Sequence, residues 1–250
     1  MNKYLKNLNR VEFIVTYDCT GKCKHCSVGE DNPKSLYLDK DLAKNIIYDT
    51  AKIYNLESVM TFGGEPLMHP ECVCAIHSAA TEMAIPKRQL ITNGFFSKDV
   101  DKIKLVCEEI ASSGVNDLLL SVDAFHQETI SLDVVKIFAK EIVSLGVNIR
   151  TNPAWLVSRE HDNPYNNQTF EILKNFEHLG IEEGYGNIIF PEGNAVRYLN
   201  NYFKDGEYTN PYVDDPENVT AISIEPDGTL FGRRLYKDNV TKILNEYKPE

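Results

Sequence analysis

Short apolar runs of four or five residues recur along the chain, separated by longer stretches in which apolar side chains return every three or four positions. A short continuous run suits a strand buried on both faces, and the wider period suits an amphipathic helix. Strands are predicted at residues 11–15, 58–62, 89–92, 118–122, 147–151 and 187–190. Between them, a helix capped by Asp39 runs to about residue 55, with Leu42, Ile46, Ile47, Ile53 and Tyr54 on its apolar face. Others are predicted over 70–84, from Ser97 through Ile103 and Ile110, and over 131–145 with Val135, Phe138 and Ile142 inward. After a polar loop at 160–168, a further helix carries Phe170, Leu173, Phe176 and Leu179.

Six strand–helix repeats imply an α/β fold with a parallel sheet covered by helices. They are fewer than a closed barrel needs, so the expected architecture is a partial (β/α)6 TIM-like barrel over residues 1–205. Residues 206–250 change character and form an expected appendage. There, 221–225 and 229–231 flank Pro226-Asp227-Gly228 as a hairpin, and a short helix follows near 240–247.

Composition alters this picture little: 42% hydrophobic and 25% charged residues over 250 positions describe an ordinary globular protein. The net charge of −11 argues against a general nucleic-acid binder, which would show a basic face. The longest apolar runs are too short to span a bilayer, and no apolar signal core follows the basic N-terminus. A cytoplasmic, reducing location is therefore expected, in which clustered cysteines point to metal binding or catalysis before disulfides.

Such a cluster follows the first strand, as Cys19-x-x-x-Cys23-x-x-Cys26. Three thiolates at this spacing can hold three corners of a cubane iron–sulfur cluster and leave one iron open to a ligand. The competing reading is a zinc site completed by His25 or a distant residue. The other predicted strands also end in polar motifs: Gly63-Gly64-Glu65-Pro66, Thr92-Asn93-Gly94, Ser121-Val122-Asp123, Asn152-Pro153 and Pro191-Glu192-Gly193-Asn194. In a parallel barrel those ends share one rim, where active sites lie. Thr92, Asn93, Asn152 and Glu192 are rim candidates by position, and His126 is a candidate proton donor or substrate contact, or a loop histidine without further role. His161, Asp162, Tyr165 and Trp155 could wall the substrate cavity, though loop composition and packing explain them equally. Cys72, Cys74 and Cys107 read as buried small hydrophobes.

Together, the three-cysteine spacing, Gly63-Gly64-Glu65-Pro66 one unit later and Ser121-Val122-Asp123 on the fourth strand resemble the radical S-adenosylmethionine (radical SAM) superfamily over about residues 11–195. The resemblance implies a 4Fe–4S cluster on Cys19, Cys23 and Cys26, with SAM chelating the open iron. It further implies that Gly63, Gly64 and Glu65 receive the SAM amino group, that Ser121 and Asp123 meet the ribose, and that His25 packs near adenine with Ile188 and Phe190 as weaker apolar contacts. One electron, from a donor such as flavodoxin or ferredoxin, would then release a 5′-deoxyadenosyl radical that abstracts hydrogen from a small molecule or short peptide. Activation of a glycyl-radical enzyme is an alternative within the same chemistry, and a non-catalytic iron–sulfur or zinc protein is the rival outside it. The tail sequence 222–228 resembles the start of an extension that carries auxiliary-cluster cysteines in larger relatives. No cysteine follows Cys107, so no auxiliary cluster is expected, and the ten residues before the first strand leave no room for a leader-binding domain. Arg233 and Arg234 in that tail could face a substrate carboxylate or phosphate, or be solvated surface.

Overall fold

In strand β1 (Arg10–Ile14), Val11 and Phe13 are fully buried while Arg10, Glu12 and Ile14 on the other face stay partly accessible. The buried face packs into one continuous core with Ile46 and Ile47 of α1 (Lys40–Ala51) and Val73 and Ile76 of α2 (Pro70–Glu82). This is the computed structural model of the chain, and it describes residues 2–29, 35–203 and 208–249. The same unit repeats through β2 (Ser58–Phe62), β3 (Lys87–Thr92), α3 (Val100–Ser112), β4 (Asp117–Leu120), a short α4 (Ala124–Gln127), α5 (Leu132–Ser144) and β5 (Ile149–Thr151). Asp39 caps α1 as expected, accepting from Leu42 N, whereas α3 is capped two residues beyond Ser97, by Asp99, which accepts from Asp101 and Lys102 N.

Among the described residues the main sheet has seven strands, in the order β7 (Glu182–Glu183), β5, β4, β3, β2, β1 and β9 (Ala221–Ile224), with every pairing parallel. It is a partial TIM-like barrel. The expected sixth strand is placed differently. Its position beside β5 is taken by the two polar residues of β7 (Glu182–Glu183), whereas β8 (Asn187–Ile189) pairs with β6 (Ala154–Leu156). The offset between the two pairings grows by one residue, from Thr151↔Glu183 to Ala154↔Asn187, which is a bulge. Gly186 makes it possible, because a Cβ there would lie 2.2 Å from Pro153 O. Between β6 and β7 runs α6 (Pro164–Glu177).

The tail also departs from expectation. Rather than pairing with residues 229–231, β9 (Ala221–Ile224) lies parallel to β1 and extends the main sheet, with Val11↔Ile222 in register. The hairpin forms one step later, between β10 (Thr229–Leu230) and β11 (Arg233–Arg234), before α8 (Val240–Glu246). Buried Ile222 and Ile224 explain the shift, since joining β1 removes both from water. The expected division at 205/206 falls outside the described residues. Among those residues, no helix is long and apolar enough to cross a membrane.

Candidate active site

The loop that carries the three cysteines is clamped from two sides. As β1 ends, Val15 N donates to Phe62 O (2.9 Å), and the residues after β2 then rise against the loop. Gly64 N donates to Thr16 O and Glu65 N to Asp18 O, both at 2.7 Å. Backbones can approach so closely only without side chains: a Cβ on Gly64 would lie 2.1 Å from Asp18 O, and one on Gly63 would lie 2.4 Å from Thr16 O. On the opposite flank stands α7 (Asn194–Tyr198), entered through Gly193 at φ 54°. Asn194 N donates to Cys26 O (2.9 Å), and Asn194 Nδ2 donates to Cys23 O (3.0 Å). The middle of the loop is tied by Lys22 N to Thr129 Oγ1 (3.1 Å) and by Lys24 Nζ to Glu128 Oε1 (2.8 Å).

The sulfurs attract N–H donors. Cys19 Sγ accepts from Gly21 N at 3.3 Å and from Asn93 Nδ2 at 3.6 Å. Burial raises the Cys26 thiol, opposed by hydrogen bonds from the backbone of Gly29 and Val28. Donors aimed at sulfur suit thiolates and so fit a metal–sulfur group. Ligand atoms of Cys23, His25 and His126 lie within 4.8 Å of one another, whereas Cys19 and Cys26 stand outside that group.

Glu65 links this loop to the end of β3. Its carboxylate is fully buried: Oε1 accepts from Leu67 N (2.9 Å) and Thr92 Oγ1 (2.7 Å), and Oε2 accepts from Asn93 N (2.8 Å). Burial pushes Glu65 up to about 7, against the opposing pull of those hydrogen bonds. Asp123, also fully buried, caps α4. Its Oδ1 accepts from Phe125 and His126 N (both 2.9 Å), while Oδ2 accepts from Ala154 N (2.9 Å) and meets His126 Nδ1 (2.8 Å). Burial alone would raise Asp123, but the His126 ring and the hydrogen bonds hold it well below the usual carboxylate range. Burial works the other way on His126 and is outweighed by Asp123 and Cys23, so its ring sits well above its ordinary value. His25 lies edge-on to His126 (4.9 Å between centroids) and tilted against Phe125 (5.1 Å), and its buried Nδ1 has no hydrogen-bond partner among the described residues. Burial lowers His25 to about 4, with Asp123 opposing.

Of the rim residues expected from sequence, Thr92 and Asn93 bond Glu65, and Asn93 also reaches Cys19 Sγ. The carboxylate of Asp123 is held by Phe125 N, His126 N, His126 Nδ1 and Ala154 N, as a helix cap and histidine partner. Ser121 and Asn152 sit half-buried at adjacent strand ends, with Ser121 N on Thr92 O (2.8 Å) and Asn152 N on Leu120 O (2.7 Å). Glu192 is exposed and turned to Asn210 Nδ2 (3.3 Å), while Ile188 is 37% exposed and Phe190 leans on Tyr212. Tyr165 stacks on Phe125 at 4.4 Å, and Trp155 is fully buried. Both tail arginines are engaged within the chain, Arg233 by Asp238 and Glu246 and Arg234 by Asp227. Cys72 and Cys107 are buried in the core, and Cys74 packs half-buried against it. Sequence reasoning missed Asn194 and Thr129 as loop anchors. The pairing of Gly193 with Asn194 at a strand end was the available signal for the first.

The sequence model of the radical SAM superfamily matches residues 13–204, which takes in the end of β1, the clamped loop and the elements from α1 through α7. The chain belongs to the radical SAM superfamily. Among curated proteins, a GTP 3′,8-cyclase of Desulforamulus reducens is 24% identical over 132 residues, 52% of this chain and 38% of that protein. This radical SAM chain thus aligns with well under half of that relative's length. Among solved structures, Streptococcus suis SuiB bound to S-adenosylmethionine superposes with a TM-score of 0.65 at 15% identity, covering 98% of this chain and 67% of SuiB. SuiB bound to precursor peptide SuiA gives 0.63 at 15% identity, over 97% of this chain and 65% of SuiB. For anSMEcpe with bound AdoMet the score is 0.59 at 14% identity, over 97% and 81% of the two chains. At these identities the superpositions establish the shared fold.

Proposed function

We propose that this chain is a radical SAM enzyme in which Cys19, Cys23 and Cys26 hold a 4Fe–4S cluster and the ends of β2 to β4 hold SAM. The observation that carries this reading is the three-thiol loop itself, clamped between the Gly63–Glu65 segment and Asn194 with N–H donors aimed at its sulfurs. When bound and reduced by one electron, that pair of groups supplies a 5′-deoxyadenosyl radical. The chain's own residues bind and orient. Carbonyl oxygens beside Gly63 and Gly64 offer the acceptors that an amino group needs, and the Ser121 hydroxyl can meet a ribose hydroxyl. The His25 ring, backed by Phe125, offers a flat wall for adenine. Asp123 orients His126 through the 2.8 Å contact, placing that ring beside Cys23.

The substrate proposed is a small molecule or a short peptide that gives up hydrogen from carbon, and the electron comes from a donor such as flavodoxin or ferredoxin. The charge of −11 favours these classes over nucleic acid. Anaerobic reconstitution followed by electron paramagnetic resonance tests the assignment. About four irons per chain with acid-labile sulfide, and a signal that changes when SAM is added, are expected. Zinc near one per chain, or an iron signal indifferent to SAM, would contradict it. Cys23→Ala should abolish the signal.

A further inference from the structure

The side-chain amide of Asn93 has one orientation compatible with its surroundings. Oδ1 accepts from Phe95 N at 2.8 Å, so the amino group of the amide must point the other way. There Nδ2 reaches Cys19 Sγ at 3.6 Å and Thr20 Oγ1 at 3.3 Å. The backbone is pinned too, because Asn93 N donates to Glu65 Oε2 at 2.8 Å. Glu65 is in turn held by Thr92 and Leu67, so a chain of hydrogen bonds runs from a buried carboxylate to one cysteine sulfur. Asn93 is only 5% exposed, which keeps water from competing for the amide. An amide N–H does not titrate near neutrality, so the sulfur faces a permanent donor.

We propose that Asn93 sets the reduction potential of the cluster held in part by Cys19, through its Nδ2–H···Sγ hydrogen bond. The inference rests on the cluster assignment and adds a role for this chain's own residue. A reduced cluster carries one more negative charge than the oxidised one. An N–H dipole aimed at a ligand sulfur stabilises that charge and raises the potential. Glu65 acts through Asn93 as a positioning residue. Asn194 provides the contrast, since it donates to the carbonyl oxygens of Cys23 and Cys26 and to neither sulfur.

The test compares reconstituted wild type, Asn93→Ala, Asn93→Asp and Asn194→Ala. Iron and sulfide are counted, each sample is poised at a series of potentials, and the reduced fraction is read by electron paramagnetic resonance. With full iron, Asn93→Ala should lower the reduced-to-oxidised ratio about tenfold at the wild-type midpoint, a shift of about 59 mV for a one-electron couple. Asn93→Asp, which replaces the donor by an acceptor, should lower it further, and Asn194→Ala should leave it unchanged. Unaltered midpoints in both Asn93 variants, or an equal shift in all three, would overturn the proposal. So would Asn93 variants that cannot retain iron while Asn194→Ala does, because Asn93 would then be only a loop anchor. A wild type that forms no cluster at all would instead remove the assignment on which the inference rests.

Discussion

Gly64→Ala puts the clamped loop to a direct test. A Cβ at this position would sit 2.1 Å from Asp18 O and 2.7 Å from Tyr17 O, where real Cβ contacts essentially never fall under 3.0 Å. Relief therefore requires the two backbone segments to part by about 1 Å. The hydrogen bonds from Gly64 N to Thr16 O and from Glu65 N to Asp18 O, now 2.7 Å each, would stretch beyond hydrogen-bonding range. Each such bond contributes about 1 kcal/mol net, and stranding its groups away from water adds about 1–3 kcal/mol, so the expected loss is about 2–5 kcal/mol. Urea unfolding of the metal-free protein measures the loss, and iron content after reconstitution shows whether the loop still closes. Gly146→Ala is the control, because its backbone at φ 73° has nothing within 4 Å of the new Cβ. It should cost about 1–2 kcal/mol, from backbone conformation alone, and leave iron content unchanged. A Gly64→Ala protein with wild-type stability and wild-type iron would refute the close-approach argument.

Three further outcomes follow from the same geometry. Asp123→Ala strips the acceptor from three backbone donors and from His126, so a loss of about 2–4 kcal/mol in urea unfolding is expected, and a loss below about 1 kcal/mol would show that the cap is dispensable. Asn194→Ala should load iron normally but surrender it several-fold faster to a chelator, as read from the decay of cluster absorbance; an unchanged rate would remove Asn194 from the clamp. His77 is fully buried against Thr61, and burial lowers it from 6.5 to about 3. The unfolded chain therefore binds a proton that the folded chain refuses. The associated stability is complete above pH 6.5 and falls as the pH drops toward 3, by about 2 kcal/mol at pH 5. Urea unfolding at pH 7 and pH 5 should show a pH-dependent change that is about 2 kcal/mol less destabilising in His77→Leu than in wild type, whereas equal changes in the two proteins would sink the assignment.

How much could be read from sequence depended on whether local pattern or long-range pairing decided each element. The run 58–62 is a strand in both readings, and Asp39 caps its helix as expected, because burial and capping are local. The two polar residues of β7 carry no apolar signal. Their place beside β5 comes from the bulge at Gly186, and the apolar run that looked like the sixth strand went to β6 instead. Pro226-Asp227-Gly228 announces a turn correctly, but nothing local tells β9 to seek β1, more than 200 residues away. The candidate site divides in the same way. The spacing of Cys19, Cys23 and Cys26 and the glycines at 63 and 64 are legible motifs. The full occupation of Asp123 by four donors, and the reach of Asn194 to Cys23 O across 171 positions, exist only once the chain is folded.

The central claim is that the three-cysteine loop supports reductive cleavage of SAM. The most direct measurement is 5′-deoxyadenosine, detected by mass spectrometry after anaerobic reconstituted protein is given SAM and dithionite. Wild type is expected to form it, and a protein with Cys19, Cys23 and Cys26 all changed to alanine is expected to form none. A wild type with an intact, reducible cluster whose spectrum ignores SAM, and which yields no 5′-deoxyadenosine, would contradict the account.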